Sequence, residues 1–292
     1  MKKVLIILLS IIVSVAAFTA CTPTDKPTDN KTITLSYVDW AEGVAMTHLA
    51  AVILEDKFDY DVKLNYVQDV GLVFSSLASG DTDVFLDTWL PITHADYIES
   101  HGKDIEQLGV IFDTAKIGLV VPAYMDIDSI DELNANVDKF TGDYSKIIGI
   151  GSGAGIHSAT ESAITQYDLD FEQATSSEAA MIAVLDTAYR NESWVVITGW
   201  SPHWKFASYD LKFLDDPEGV YGAEETIEAY SRAGFATDEP EIAEFFSNFA
   251  LTNEQLSDIM IIFEEAGSNT DQKAVARQWW ADNKDLVDSW LS

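Results

Sequence analysis

The stretch Ile33-Thr34-Leu35-Ser36-Tyr37-Val38 decides the fold class, because its apolar and polar residues alternate as they do in a half-buried strand. Helical and strand patterns alternate after it: a helix at 43–57, a strand at 61–67, a helix at 71–79 and a strand at 84–86. The second of these helices is followed by Gly80-Asp81, which stops it. This β-α-β-α-β order predicts a mostly parallel sheet covered by helices, an α/β fold.

A second α/β unit is predicted to begin near Lys116. Its patterns are, in chain order, a strand at 117–121, a helix start at 128–133, a strand at 147–150, helices at 156–167 and 177–191, and a strand at 195–198. Residues 226–232 form a strand that returns toward the first unit, and residues 239–290 are helical. The chain therefore crosses between the units twice, near 119–122 and 224–234. Two crossings make a hinge, and small molecules prefer the cleft beside it.

The N-terminus differs in kind from this globular body. Lys2 and Lys3 precede an uncharged apolar run at 4–17, which has the length of a signal-peptide core and is too short for a comfortable membrane span. The run is followed by Cys21, the single cysteine of the chain, so no internal disulfide can form. A lone cysteine at this place is typical of bacterial lipoproteins, which are cut before the cysteine and acylated on its thiol.

These features predict a lipoprotein signal peptide at 1–20 and a flexible tether at 21–31 that is rich in Thr, Pro, Asp, Asn and Lys. We expect the mature protein on the outer face of the cytoplasmic membrane, attached to the membrane only through the lipid on Cys21. The alternative is a simple secreted protein that is cut near Ala20 and carries a spare thiol.

Acidic residues dominate the charge of the chain. Asp and Glu number 49 against 17 Lys and Arg, which gives a formal net charge of −32. Nucleic acid and anionic membrane surfaces would repel such a protein, so we expect neither as a partner. The acidic residues are scattered along the sequence, which indicates a solvated surface.

The sequence carries no motif for catalysis or for a cofactor. The histidines form no H-E-x-x-H pair, and there is no G-x-S-x-G elbow, Walker A loop or full G-x-G-x-x-G fingerprint. We therefore expect a protein that is not an enzyme and has no metal site and no cofactor.

Three tryptophans are unusual for their position in the sequence. Trp40, Trp89 and Trp200 each follow a predicted strand directly. Ligands of open α/β sheets lie beyond the carboxyl ends of the strands, so we expect the three indoles to meet there. Their electron-rich faces suit a cation that carries methyl groups in place of N–H donors. For a single tryptophan, filling the core would be the simpler interpretation.

Backbone N–H groups and one histidine are candidates for an anion site nearby. The turn Gly153-Ala154-Gly155-Ile156 enters a predicted helix, and the first N–H groups and the positive end of a helix attract anions. His94, five residues after Trp89, can donate a hydrogen bond to the same anion. The alternatives are an ordinary tight turn and a surface or capping histidine.

Four motifs together resemble the glycine betaine/proline betaine substrate-binding proteins of ABC importers: Val38-Asp39-Trp40-Ala41-Glu42-Gly43, Asp87-Thr88-Trp89-Leu90-Pro91, Gly153-Ala154-Gly155-Ile156 and Thr198-Gly199-Trp200-Ser201-Pro202-His203-Trp204. The resemblance runs over essentially the whole mature chain, and the combination is specific although no single motif is. It implies a two-lobed fold of the periplasmic-binding-protein type (type II) with a two-strand hinge. Lobe I would comprise residues 32–119 plus 233–292, and lobe II residues 120–232.

The resemblance also implies a site and a function. Six residues are implied as ligand contacts, three around a trimethylammonium group and three at a carboxylate: Trp40, Trp89 and Trp200, then Gly155, Ile156 and His94. The implied function is capture of a quaternary-ammonium compatible solute, glycine betaine first, for osmoprotectant uptake. A monomer would deliver it to the membrane permease of an ABC importer.

Other ligands and one other class of protein remain open. Choline, carnitine and a sulfonate are alternative ligands, and so is an amino acid, because Asp39 and Asp87 each adjoin or nearly adjoin a cage tryptophan. An exported hydrolase of choline esters is the alternative from another class, although no nucleophile with a base is identifiable in the sequence.

The lipid anchor can be tested by replacing its acceptor. Cys21→Ser should release the protein into the medium or stall its processing, because no thiol remains to be acylated. Fractionation of cells that express the two forms measures this. Unchanged association of Cys21→Ser with the membrane would rule out the anchor.

Overall fold

One mixed sheet organises the molecule. The computed structural model describes residues 31–267 and 269–291, and in this part of the chain nine strands join into the order β2-β1-β3-β9-β4-β7-β5-β6, with β8 paired to β4 beside this path. The strands are β1 Thr32–Tyr37, β2 Asp61–Tyr66, β3 Val84–Leu90, β4 Ile105–Pro122, β5 Ile147–Ile148, β6 Gln173–Ala174, β7 Val196–Ser201, β8 Leu211–Phe213 and β9 Glu225–Arg232.

Helices cover the sheet between and after these strands. They are α1 Ala41–Phe58, α2 Val70–Ser79, α3 Ala95–His101, α4 Gly155–Gln166, α5 Glu178–Arg190, α6 Lys205–Ser208, α7 Phe235–Asp238, α8 Pro240–Asn248, α9 Asn253–Ala266, α10 Gln272–Asp282 and α11 Lys284–Trp290. Within the described residues, no helix has the length and apolar character needed to cross a membrane.

The opening β-α-β-α-β prediction is confirmed. β1 pairs in parallel with β2 from Thr32 opposite Asp61, and in parallel with β3 at Leu35 opposite Val84. Helix α1 is buried along most of its length, because α9 and α10 pack on it in addition to the strands. This double cover holds α1 beside β1, the strand that it follows in the chain.

Strand β4 joins the two halves of the sheet. The sequence predicted only its end at 117–121, because residues 105–115 mix buried and exposed side chains without a clean alternation. The first part of β4 is antiparallel to β9 as far as Ala115, and the second part is antiparallel to β7 from Lys116 onward. This change of partner strand favours a boundary between the lobes at Ala115 and Lys116. The predicted division into lobe I (32–119 plus 233–292) and lobe II (120–232) stays a prediction.

Two details of the sequence interpretation are wrong. The helix predicted to start at 128–133 is only a 3-10 turn, Ile130–Glu132, and Ser129 makes no side-chain capping bond to it. Trp89 and Trp200 lie inside β3 and β7 and do not follow their ends. β3 extends to Leu90 because β9 pairs with it there, a partner that is remote in sequence.

Candidate functional site

All six residues predicted to contact a ligand line one cavity. It lies between the end of β3, the start of α1, β7 and the start of α4. Five further residues complete its wall: Glu42, Thr93, Ile117, Ile150 and Ala154. The wall is therefore mostly apolar and aromatic, with few polar groups.

The three indoles reach the cavity from different parts of the sheet. Trp40 precedes the first residue of α1, Trp89 lies in β3, and Trp200 lies in β7. Trp89 and Trp200 are only 3% and 4% exposed, whereas Trp40 is half-buried. Because β3 and β7 belong to opposite halves of the sheet, the cavity is closed only when both halves contribute.

Buried carboxylates accept the N–H groups of two of these indoles. Trp200 Nε1 donates to Glu42 Oε2 at 2.9 Å, and Trp89 Nε1 donates to Asp87 Oδ1 at 2.7 Å. An indole whose N–H is already bonded has only its ring left to offer a ligand. These bonds therefore fix two aromatic surfaces in place at the cavity wall.

His94 is a fully buried, neutral hydrogen-bond donor at the cavity. Its Nδ1 accepts a hydrogen bond from the backbone N–H of Trp89 at 2.9 Å, so the proton of the neutral ring lies on Nε2. Nε2 is buried and has no hydrogen-bond partner in the part of the chain that the structure describes. Burial lowers the pKa of His94 to about 3, so the ring stays neutral at physiological pH. Its ring also stacks on Trp40, with centroids 6.2 Å apart.

The start of α4 presents backbone N–H groups to the same cavity. Gly155 is the first residue of α4 and Ile156 the second, and the first N–H groups of a helix have no partner inside it. Gly155 is needed here because a Cβ atom would lie 1.9 Å from the backbone oxygen of Thr93. The residues of the predicted anion site thus lie together where α4 approaches the loop that carries His94.

Glu225 holds that loop, and sequence reasoning missed it. The backbone N–H groups of Ile92 and Thr93 donate to Glu225 Oε2 at 2.9 and 2.8 Å, and the Thr93 hydroxyl donates to Oε1. Glu225 begins β9 and is 1% exposed. No local signal marks it, because the residues it binds lie more than 130 positions earlier in the chain.

A buried charged cluster lies behind the cavity wall. Burial raises the pKa of Glu42 to about 8, and the nearby Glu178 carboxylate acts in the same direction. Burial raises the pKa of Glu178 to about 7 and lowers the pKa of Lys205 to about 7. Glu178 accepts from the backbone N–H of Ala41 at 3.1 Å and contacts His203 Nε2 at 3.0 Å. The cluster therefore ties the start of α1 to α5 and to the segment after β7.

Asp39 and Asp87, the two carboxylates that made an amino acid an alternative ligand, do not line the cavity. Asp39 is exposed, and Asp87 is buried behind the Trp89 indole. Glu42 is the carboxylate that lines the cavity among the described residues. Across these residues no cluster of His, Cys, Asp and Glu has the geometry to hold a metal ion, and Cys21 lies outside them.

The family model for the substrate binding domain of ABC-type glycine betaine transport systems matches residues 31–282. The chain belongs to this family. The glycine betaine/carnitine transport binding protein GbuC of Listeria monocytogenes is 42% identical over 147 residues, 49% of this chain and 48% of that protein. The match thus spans about half the length of this curated relative.

Two solved binding proteins share the fold. Lactococcal OpuAC in its closed-liganded conformation with glycine betaine is 32% identical, with a TM-score of 0.82 over 90% of this chain and 100% of that one. An ABC-transporter choline binding protein in complex with choline is 27% identical, with a TM-score of 0.81 over 91% of this chain and 93% of that one.

These similarities confirm the family and the fold that the sequence predicted. The α/β fold is that of the two-lobed periplasmic binding proteins with a two-strand hinge. Members of the family are transport binding proteins of ABC systems, which work outside the cytoplasm, and they are not classed by an enzymatic activity.

The close approach of α4 to the His94 loop can be tested at Gly155. Gly155→Ala should lower the free energy of unfolding by about 1–3 kcal/mol, because the new Cβ overlaps the Thr93 carbonyl and the backbone must move. Gly151→Ala is the matched control: no atom lies within 4 Å of a Cβ there, and its effect should stay within about 0.5 kcal/mol. Denaturant unfolding measures both variants, and equal stability of the two would contradict the described approach.

Proposed function

We propose that the protein captures glycine betaine outside the cell and delivers it to the permease of an ABC importer for osmoprotectant uptake. The observation that carries the proposal is the single cavity in which three tryptophans, a neutral His94 donor and the start of α4 converge. One end of such a cavity fits a methylated cation, and the other fits an anion. Glycine betaine has these two groups one methylene apart.

The cationic end would be held without hydrogen bonds. A trimethylammonium group has no N–H, so it cannot bond to acceptors, but its charge is attracted to the face of an indole. Each face contributes roughly 0.5–2 kcal/mol when water is excluded. Trp89 and Trp200 are almost fully buried, which favours the upper part of this range.

The carboxylate end would be held by donors. His94 Nε2 and the backbone N–H groups of Gly155 and Ile156 are the groups we assign to it. No described residue bonds to the buried Nε2, and the first N–H groups of a helix have no partner inside the helix. A hydrogen bond to a charged acceptor contributes about 1.5–3 kcal/mol, against about 1 kcal/mol for a neutral acceptor.

Choline is the second candidate ligand. It shares the trimethylammonium group, and the structural match to a choline binding protein supports it. Its hydroxyl is neutral, so hydrogen bonds to it from the donors at the other end of the cavity would contribute less than those to a carboxylate. Carnitine is supported by the GbuC relative, which is named for glycine betaine and carnitine.

The location and partners of the protein complete the proposal. Residues 1–20 would be removed as a signal peptide, Cys21 would carry the lipid, and residues 21–31 would tether the folded body to the outer face of the cytoplasmic membrane. The protein would work as a monomer and contact the permease when the two lobes have closed over the ligand. The net charge of −32 supports an anchor that is purely lipid, because anionic headgroups repel the body.

Titration calorimetry with glycine betaine, choline, carnitine, a sulfonate and an amino acid tests the proposed function directly. Glycine betaine should bind most tightly, and the amino acid should bind weakly because its ammonium N–H groups lack acceptors among the three indoles. A protein that binds the amino acid more tightly than glycine betaine would overturn the proposal.

The aromatic cage can be tested one tryptophan at a time. Trp40→Ala, Trp89→Ala and Trp200→Ala should each weaken glycine betaine binding by about tenfold or more, since one lost face is worth about 1–3 kcal/mol. Phe at the same position should restore part of the affinity, because it keeps a weaker aromatic face. Trp280→Ala, in α10 and away from the cavity, is the control. Wild-type affinity in all three cage variants would reduce these tryptophans to packing residues.

The anionic end can be tested by comparing two ligands. The wild type should bind glycine betaine about 10² times more tightly than choline, or more, because only glycine betaine can form two or three charge-assisted hydrogen bonds there. His94→Ala should weaken glycine betaine and leave choline nearly unchanged, since only the first offers a carboxylate to Nε2. Competition binding measures the ratio. Equal affinity of the wild type for both ligands would refute the carboxylate site and leave the aromatic cage standing.

A further inference from the structure

We propose that Glu42 and Asp87 are positioning residues that make the aromatic cage selective for a positive charge. Each carboxylate accepts a hydrogen bond from one indole, Glu42 from Trp200 and Asp87 from Trp89. Together the two buried carboxylates also create a negative potential behind the cage. The inference rests on the proposed function, because it concerns the cationic ligand that this function assigns to the cavity.

The geometry links each carboxylate to one aromatic surface. Glu42 Oε2 lies 2.9 Å from Trp200 Nε1, and Asp87 Oδ1 lies 2.7 Å from Trp89 Nε1. Hydrogen bonds to an ionised acceptor are shorter and stronger than neutral ones, and they polarise the donor group. A polarised N–H leaves more electron density on the indole ring, which is the property that attracts a cation to its face.

Stability of the empty protein does not explain why Asp87 is a carboxylate. The side chain is 1% exposed, and its Oδ2 has no hydrogen-bond partner among residues 31–267 and 269–291. Oδ2 is pressed against α1, where a Cβ at Gly43 would lie 2.7 Å from it. A buried carboxylate without full compensation lowers stability. A cation in the cage would compensate the charge of this carboxylate beside Trp89.

Protons would balance these charges while the cage is empty. Burial raises the pKa of Glu42 to about 8, and it raises the pKa of Asp87 well above the usual range, with the Glu42 charge adding to the effect. A quaternary ammonium that enters the cage supplies the missing positive charge. It therefore favours the ionised carboxylates, and protons should leave as the ligand binds.

The neighbouring titratable groups push the pH dependence the same way. Glu178 on α5 and Lys205 on α6 both have a pKa of about 7 because they are buried, and loss of either proton makes the cluster more negative. His94 before α3 and His203 before α6 have pKa values lowered by burial, so both rings stay neutral. Affinity for a quaternary ammonium should therefore rise with pH between about 6 and 9.

Two ligands of the same shape separate charge from packing. Glycine betaine and 3,3-dimethylbutanoate differ in a positive nitrogen against a neutral quaternary carbon, and both carry the carboxylate. In the wild type, the preference for glycine betaine should grow with pH, by up to about tenfold per pH unit while one group titrates. Glu42→Gln and Asp87→Asn keep an oxygen that can accept the indole N–H, but each should lower the preference by about tenfold.

A variant at another tryptophan–carboxylate pair controls for the change from a carboxylate to an amide. Trp279 Nε1 donates to Asp258 Oδ2 at 2.9 Å between α10 and α9, outside the cavity wall. Asp258→Asn makes the same chemical change and should leave the preference at the wild-type value. Calorimetry with both ligands on the four proteins, from pH 6 to 9, gives all the ratios.

The outcomes distinguish this inference from the proposed function. Equal loss of affinity for both ligands in Glu42→Gln and Asp87→Asn would make the carboxylates structural only and overturn the inference. If both variants fail to fold, a wild-type preference that does not change with pH overturns it alone. A wild type that binds glycine betaine no better than 3,3-dimethylbutanoate at any pH would refute both the selectivity and the proposed cationic ligand.

Discussion

The hydrogen bond between Trp200 and Glu42 is the contact on which the site depends. It joins β7 in one half of the sheet to α1 in the other, across 158 residues of sequence, and both side chains are almost fully buried. The bond from the backbone N–H of Ala41 to Glu178 spans the same two halves. Because these bonds cross between the halves, residues from both halves together form the aromatic wall.

A cavity for a quaternary ammonium has to work without the usual polar contacts. Two indole N–H groups are bonded to Glu42 and Asp87, so the rings of Trp200 and Trp89 are what these tryptophans have left to offer the cavity. The opposite end follows the reverse rule. There, His94 Nε2 has no partner within residues 31–267 and 269–291, and the first N–H groups of α4 have none inside their helix.

Local patterns predicted the parts of this molecule that local physics fixes. The alternation at 33–38 and the helical period after it predicted β1 and α1 within a few residues, because one face of each is buried against its sequence neighbours. The three tryptophans and the Gly155 turn were found from their positions next to strands and a helix. The supporting roles of Glu42 and Glu225 were not predicted, because the residues that they bind lie more than 130 positions away in the sequence. Residues 105–115 were missed because β9 pairs with them and leaves no regular alternation.

A crystal structure of the protein with glycine betaine tests the central claim most directly. The account predicts the trimethylammonium group within about 6 Å of the ring centroids of Trp40, Trp89 and Trp200. It also predicts the carboxylate about 2.7–3.2 Å from His94 Nε2 and from a backbone N–H at the start of α4. A ligand bound in the reverse orientation, or outside this cavity, would contradict the account.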